Sequence, residues 1–327
     1  MARIGRKDMS RFSTAAGAAL LAIFLIVGCG AGSKDTTDQG EKKAAPAKKR
    51  IALVMKTLTN PFFVAMEKGA RKAEQELNIE LIVKTGAKET SIEQQIAIID
   101  ELIRNRVDAI VIAPASSTEI IPILKKAQEA KIVIVNIDNQ IDPEPAAKMG
   151  LADVPFISVD NEKGAYIAAK YISDQVKKPT KAAILEGIRS AKNAEQRKAG
   201  AVRAFRENRH IRLVASESAN WKIDEAFAVT ARMFQKHPDI GMIFCANDMM
   251  ALGTIHYLQQ HKKTGVLVAA FDALEEARAA IRQGTLQISI DQQADRQGYL
   301  GVRTAVEMLG GKKPAPVTMV DVLPVHL

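Results

Sequence analysis

From residue 51 onward, short β-branched apolar runs alternate with longer stretches in which apolar residues recur every three or four positions. The runs are Ile51–Met55, Ile79–Val83, Ala109–Ile112, Ile132–Ile137, Ile157–Val159, Ala182–Leu185, Ile211–Ala215, Met242–Cys245, Val266–Phe271 and Leu286–Ile290. Between most of them lie helical patterns such as Phe63–Leu77, Ser91–Arg104, Glu119–Ala130, Gly164–Val176 and Ile223–Lys236. Alternation at this spacing implies parallel βαβ units. The strands read as apolar throughout, so helices are expected on both faces of each sheet. Roughly 275 residues of this pattern exceed one comfortable core, which points to two α/β lobes. The first series ends near Ile157–Asp160 and a second starts at Lys181, without a long linker between them. Short strand-like crossings would act as a hinge around a cleft. A (βα)8 barrel is the rival architecture, but the strand count exceeds eight.

The N-terminus stands apart from this pattern. Arg3, Arg6, Lys7 and Arg11 precede a nearly unbroken apolar run, Ala15–Val27. That run is short for a membrane span, which needs roughly 20 residues, but suits an export signal over residues 1–28. It ends in Ile26, Val27, Gly28 and Cys29, a lipobox-like pattern that makes Cys29 the expected lipidated residue. Residues 29–49 lack apolar periodicity and read as a flexible tether. An exported chain held at a membrane surface by lipid is therefore expected. The net charge of +9 follows the same division: residues 1–50 hold ten Lys/Arg against four Asp/Glu, which leaves only +3 for the rest. A phosphate-binding groove needs clustered positive charge in the folded part, so nucleic acid is not an expected partner.

With Cys29 assigned to the anchor, Cys245 is left alone in the apolar string GMIFCAND and reads as a buried small hydrophobe without a disulfide. None of the five histidines falls at metal-ligand spacing, so no metal and no cofactor is expected. A GxSxG elbow and a GxxxxGK[ST] phosphate loop are both missing, and the acidic residues lack an evident nucleophile or metal partner. The chain is not expected to be an enzyme.

The segment KTLTNPFF (56–63) leaves the first apolar run and enters the first helical pattern. It puts an ammonium group, an amide and two rings where open α/β sheets bind ligands, outside the carboxyl ends of strands. On their own these residues also have structural readings. Asn60 and Asp272 suit helix N-caps, Phe62 and Phe63 suit core positions, and Arg197 sits in a charged helical stretch that usually faces solvent.

Eight landmarks in one order carry a resemblance: KTLTNPFF (56–63), APASS (113–117), IVNIDNQID (134–142), SVDNEKGA (158–165), ANW (219–221), FCANDMMALG (244–253), AAFDALEEA (269–277) and DQQADRQG (291–298). Over residues 50–327 the chain resembles the type I periplasmic sugar-binding proteins of ABC importers, in the ribose- and D-allose-binding branch. The resemblance implies two Rossmann-like parallel-sheet lobes, 50–160 with 293–318 and 161–292 with 319–327. It implies a monomer that captures a monosaccharide and delivers it to permease subunits. Its ligand positions fall on Lys56, Asn60, Phe62, Phe63, Asp138, Asn139, Arg197, Trp221, Asn247, Asp272 and Gln292.

The chemistry of that set suits a sugar. Phe62 or Phe63 and the only tryptophan, Trp221, can sandwich the apolar faces of the ring. Asp138 and Asp272 can accept from hydroxyls, while Arg197 and the amides of Asn60, Asn247 and Gln292 can donate. Charge-assisted bonds are roughly twice as strong as neutral ones, and an epimer that leaves a buried group unpaired loses roughly 1–3 kcal/mol. Lys56 and the IDNQID segment are closer to the allose type, whereas Asn139 matches neither branch and Phe63 replaces a Trp of the allose type. An aldohexose such as D-allose is the first expectation, followed by ribose, a ketose or an inositol. Two other classes compete: a regulator would need a DNA-binding helix-turn-helix in place of the export signal, and a chemotaxis sensor could use the same ligand-binding shape.

Overall fold

The computed structural model describes residues 47–327. The expected signal peptide, Cys29 and most of the tether lie outside the described residues.

The first lobe opens with β1 (Arg50–Met55), α1 (Pro61–Leu77), β2 (Glu80–Thr85), α2 (Ile92–Arg104) and β3 (Ala109–Ile112). It continues with α3 (Ile121–Glu129), β4 (Val133–Ile137), α4 (Pro143–Lys148) and β5 (Phe156–Val159). The chain then builds the second lobe from α5 (Asn161–Ser173), β6 (Thr180–Glu186), α6 (Lys192–Arg206), β7 (Ile211–Ser218) and α7 (Ile223–Lys236). That lobe ends with β8 (Ile240–Cys245), α8 (Asp248–Gln260), β9 (Leu267–Ala269), α9 (Glu275–Arg282) and β10 (Ser289–Asp291). It returns to the first lobe as α10 (Ala294–Leu309) and β11 (Val317–Val320), then ends in β12 (Leu323–Val325).

The first sheet is fully parallel in the order β11-β5-β4-β3-β1-β2, and the second runs β7-β6-β8-β9, also parallel. Ile288, just before β10, bridges to Ala269 of β9, and β10 pairs antiparallel with β12. The two-lobed α/β fold expected from the alternation is present, and the barrel is ruled out by two open sheets.

Both faces of the central strands are buried. Along β1, Ile51, Leu53 and Met55 join one apolar cluster, while Ala52 and Val54 join another on the opposite face. The expectation that every strand is apolar throughout fails at β2 and β7, whose residues are mostly half-buried or exposed. They are the sheet edges, where one side of the ladder meets solvent. The final strands β11 and β12 escaped the sequence reading because they are only four and three residues long and stand mostly exposed. Cys245 is buried and free, and burial pushes its thiol up to about 12.

Helix α1 shows how locally the chain specifies its elements. The Asn60 side chain accepts from the Phe62 N–H, Pro61 occupies the first turn, and Asn78 closes the helix at φ 51°. Phe62, Phe63, Met66, Ala70 and Ala73 form the buried face at helical spacing. Its partner α10 comes from the far end of the chain, and glycines let the two backbones meet. A Cβ at Gly69 would lie 1.8 Å from the Asp295 carbonyl oxygen, and one at Gly298 would lie 2.0 Å from that of Met66. Gly301 presses α10 onto Val111 and Ile137 of the first sheet in the same way.

The chain crosses between lobes three times: after Val159, around Gln292 and Gln293, and at Asp321 and Val322. The second and third crossings are tied by Gln293 Nε2 donating to the Asp321 carbonyl at 2.8 Å.

Candidate functional site

The carboxyl ends of both sheets face one another, and the loops leaving them enclose a cavity of about 240 Å³. It is lined by Lys56, Asn60, Phe62, Phe63, Glu89, Asp138, Asn193, Arg197, Trp221, Asn247, Asp272 and Gln292. Ten of the eleven positions expected from the sequence therefore converge, with Glu89 and Asn193 added.

The first lobe supplies a charged corner. Lys56 follows β1, and its Nζ lies 3.0 Å from Asp138 Oδ2 and 5.6 Å from the centre of the Phe63 ring. That ion pair lacks hydrogen-bond alignment, so Oδ2 keeps its accepting capacity. Phe62 and Phe63 meet edge to face at 5.0 Å. Asn60 has both roles considered for it. Its Oδ1 caps α1, while its Nδ2 donates to Glu89 Oε1 at 2.9 Å from the cavity wall. Glu89 lies in the loop between β2 and α2, and burial pushes its carboxyl up to about 7 despite the opposing pull of Lys56.

The second lobe supplies a guanidinium and an indole. Asn193 and Arg197 stand one turn apart on α6 and share a face. Arg197 is buried, not solvated: Nε donates to Asn161 Oδ1 and Nη1 to the Ala246 carbonyl, both at 2.9 Å. Its guanidinium stacks 3.8 Å from the Phe271 ring centre and lies 5.5 Å from that of Trp221. Burial lowers the Arg197 pKa, against the pull of Asp272 and Asp138. Asp272 Oδ1 is 3.6 Å from Arg197 and accepts from Gln292 Nε2 at 2.6 Å. Burial pushes the Asp272 carboxyl well above its ordinary range, with Arg197 opposing. Asp272 does not cap α9; Leu274 occupies that cap position.

Three lining residues hold left-handed backbone without being glycine: Asp138 at φ 62°, Trp221 at φ 67° and Asp272 at φ 119°. Such conformations cost about 1–3 kcal/mol each and persist where surroundings impose them. Around Asp272 the surroundings are visible. Asp248 accepts from the Leu274 N–H at 2.7 Å and from Ser289 Oγ at 2.6 Å, and Ser289 Oγ accepts from the Ala273 N–H at 2.9 Å. Trp221 is seated by Gly187, where a Cβ would lie 2.0 Å from the indole ring.

One expectation is corrected. Asn139 does not line the cavity: its Nδ2 donates to the Pro114 carbonyl, and its Oδ1 accepts from Ser117 Oγ and the Asn193 N–H. Gln292 commits one of its two amide hydrogens to Asp272, which leaves the other free to donate as expected and adds an unpartnered acceptor in Oε1. Asn247 likewise spends its Oδ1 on capping α8 through the Met250 N–H. Of the two residues missed, Asn193 carried a readable signal, its four-residue offset from Arg197. Glu89 sits in an irregular loop and carried none.

A family model described as a periplasmic binding protein domain matches residues 51–313, nearly all of the described chain. The chain belongs to this family. This periplasmic binding protein is 38% identical over 274 residues to the D-ribose/D-allose-binding protein of Pseudomonas aeruginosa, covering 82% of this chain and 85% of the relative. It is 31% identical to the D-allose-binding periplasmic protein of Escherichia coli, covering 84% and 89%. Its fold matches the crystal structure of an ABC transporter periplasmic solute binding protein from Actinobacillus succinogenes with bound D-allose. That match has a TM-score of 0.81 and 37% identity, and covers 85% of this chain and 98% of the other.

Proposed function

We propose that this protein is the substrate-binding component of an ABC importer and captures a monosaccharide, D-allose or ribose, between its lobes. The observation that carries the reading is a set of buried polar atoms on lining residues: Asn193 Oδ1, Trp221 Nε1 and Gln292 Oε1 have no protein partner, and Asp138 Oδ2 makes no hydrogen bond beyond its ion pair with Lys56. Each of the first three would cost about 1–3 kcal/mol if left unpaired. Three acceptors and one donor, set among aromatic rings, match the hydroxyl rim and apolar faces of a pyranose. The similarity to proteins named for allose and ribose supports the same ligand class.

In this reading Lys56, Asn60, Phe62, Phe63, Asp138, Arg197, Trp221, Asn247, Asp272 and Gln292 contact the sugar, joined by Glu89 and Asn193. The lobes, 50–160 with 293–320 and 161–292 with 321–327, turn about the three crossings; the boundary expected between 318 and 319 moves past Val320 because β11 pairs along its whole length. The sugar shifts the population toward closure because it meets both lobes only when they are together. The protein works without catalysis, as an exported monomer anchored by lipid at Cys29, and hands the sugar to permease subunits. A thermal-shift screen over aldoses, ketoses, inositols and polyols tests the ligand class, because only a ligand of the native state raises the midpoint. Stabilisation by D-allose or ribose is expected; no stabilisation by any member refutes the reading. Release of a Cys29→Ser variant from the membrane fraction tests the anchor.

A further inference from the structure

Helix α6 carries Asn193 and Arg197, yet its own sequence provides no cap. Ala191 is the N-cap residue, with φ −106° and ψ 121°, and has no side-chain acceptor to offer. The N–H groups of Lys192 and Asn193 are among those a helix cannot satisfy internally. Both are satisfied from the other lobe. Lys192 N–H donates to Ser117 Oγ at 3.0 Å, and Asn193 N–H donates to Asn139 Oδ1 at 3.3 Å. Ser117 N–H donates back to the Ser190 carbonyl at 2.9 Å. The first-lobe partners are held in place, since Asn139 Nδ2 donates to the Pro114 carbonyl at 3.1 Å and Ser117 Oγ donates to Asn139 Oδ1 at 3.3 Å. Ser117, Asn139 and Asn193 are all buried, and neither Ser117 nor Asn139 lines the cavity.

We infer that Ser117 and Asn139 cap α6 across the cleft and thereby set ligand affinity by stabilising the closed lobes, without touching the ligand. Opening strips the helix of its caps and exposes those N–H groups to water. Losing an N-cap acceptor destabilises a helix enough to shift an equilibrium about 2- to 30-fold. Asn193 joins the latch to the cavity, because its Nδ2 donates to Asp138 Oδ1 at 3.4 Å while its Oδ1 remains free on the lining. The neighbouring Lys192–Asp142 ion pair, at 3.8 Å and half exposed, adds little and is screened by salt.

The inference rests on ligand capture between the lobes, and its test separates the two. Calorimetric titration of D-allose and D-ribose into Ser117→Ala and Asn139→Ala is expected to show affinities weakened about 2- to 30-fold, by the same factor for both sugars. Ala191→Ser gives α6 a cap that survives opening, so it should also weaken binding while leaving the ligand-free thermal midpoint unchanged or higher. Unchanged affinity in all three variants, or a loss confined to one sugar, overturns the latch. If neither sugar binds the wild type, the ligand assignment fails, and hydrogen exchange at the Lys192 and Asn193 amides of the ligand-free protein decides the latch. Protection that falls in Ser117→Ala supports it, and protection that is unchanged in that variant overturns it.

Discussion

Replacing Glu89 by Gln gives the sharpest test of the cavity's electrostatics. The carboxyl is buried and accepts from Asn60 Nδ2, an acceptor role that Gln Oε1 keeps. Burial moves its pKa from an ordinary 4.5 to about 7. The difference of about 2.5 units, at roughly 1.36 kcal/mol per unit, corresponds to about 3 kcal/mol. The sign follows from proton counting. Between these pH values the folded state holds the Glu89 proton while the unfolded chain has released it. The contribution of Glu89 to stability therefore falls as pH rises from 4.5 to 7, and the cost is fully present above 7. Asp248, also pushed up to about 7 by burial, contributes with the same sign but is common to both proteins. Glu89→Gln should match the wild type near pH 4.5 and exceed it by up to about 3 kcal/mol at pH 8, or roughly 6–10 °C in midpoint. Circular dichroism melts of the ligand-free proteins at the two pH values measure this. An equal midpoint difference at both would show Glu89 to be hydrated in solution and refute the buried-carboxyl argument.

Other substitutions probe the site and its frame. Gly187→Ala should unseat Trp221 and weaken D-allose binding by about tenfold or more, with the far-ultraviolet dichroism unchanged. Asp272→Ala removes the carboxyl that accepts from Gln292 and stands beside Arg197, so sugar binding should be abolished in titration while the far-ultraviolet dichroism is unchanged. Gly298→Ala drives a methyl group into the Met66 carbonyl and should cost about 1–3 kcal/mol by denaturant unfolding, while the sugar preference stays the same. Trp221 emission should change on adding D-allose, and a silent titration would place the indole away from the ligand.

Much of this architecture was legible because β-branched runs and helical periodicity report burial directly. Central strands such as β1 and β3 were read nearly to the residue, whereas β11 and β12 are short, partly exposed and stabilised by pairing with distant segments. The strand-exit loops at Lys56–Phe63, Asp138 and Asp272 were recognisable from their order in the chain. Side-chain commitments were not. Which amide atom of Gln292 stays free depends on Asp272, twenty residues away, and the fate of Asn139 depends on a helix of the opposite lobe. Arg197 looked like a surface residue because its helix is highly charged, and only the packing of Phe271 and Ala246 around it makes it buried.

The position of α10 has a consequence for how the polypeptide matures. This helix covers β3 and β4 and interlocks with α1, yet it is encoded almost three hundred residues into the chain. The lobe whose first strand emerges earliest during synthesis is thus completed late, after all of the second lobe but its last strand has been made. Until then its sheet lacks both an edge strand and part of its apolar covering. A truncated product ending before Ala294 would present that bare surface to its surroundings and should be prone to aggregate, even though it retains most of the sugar-facing loops.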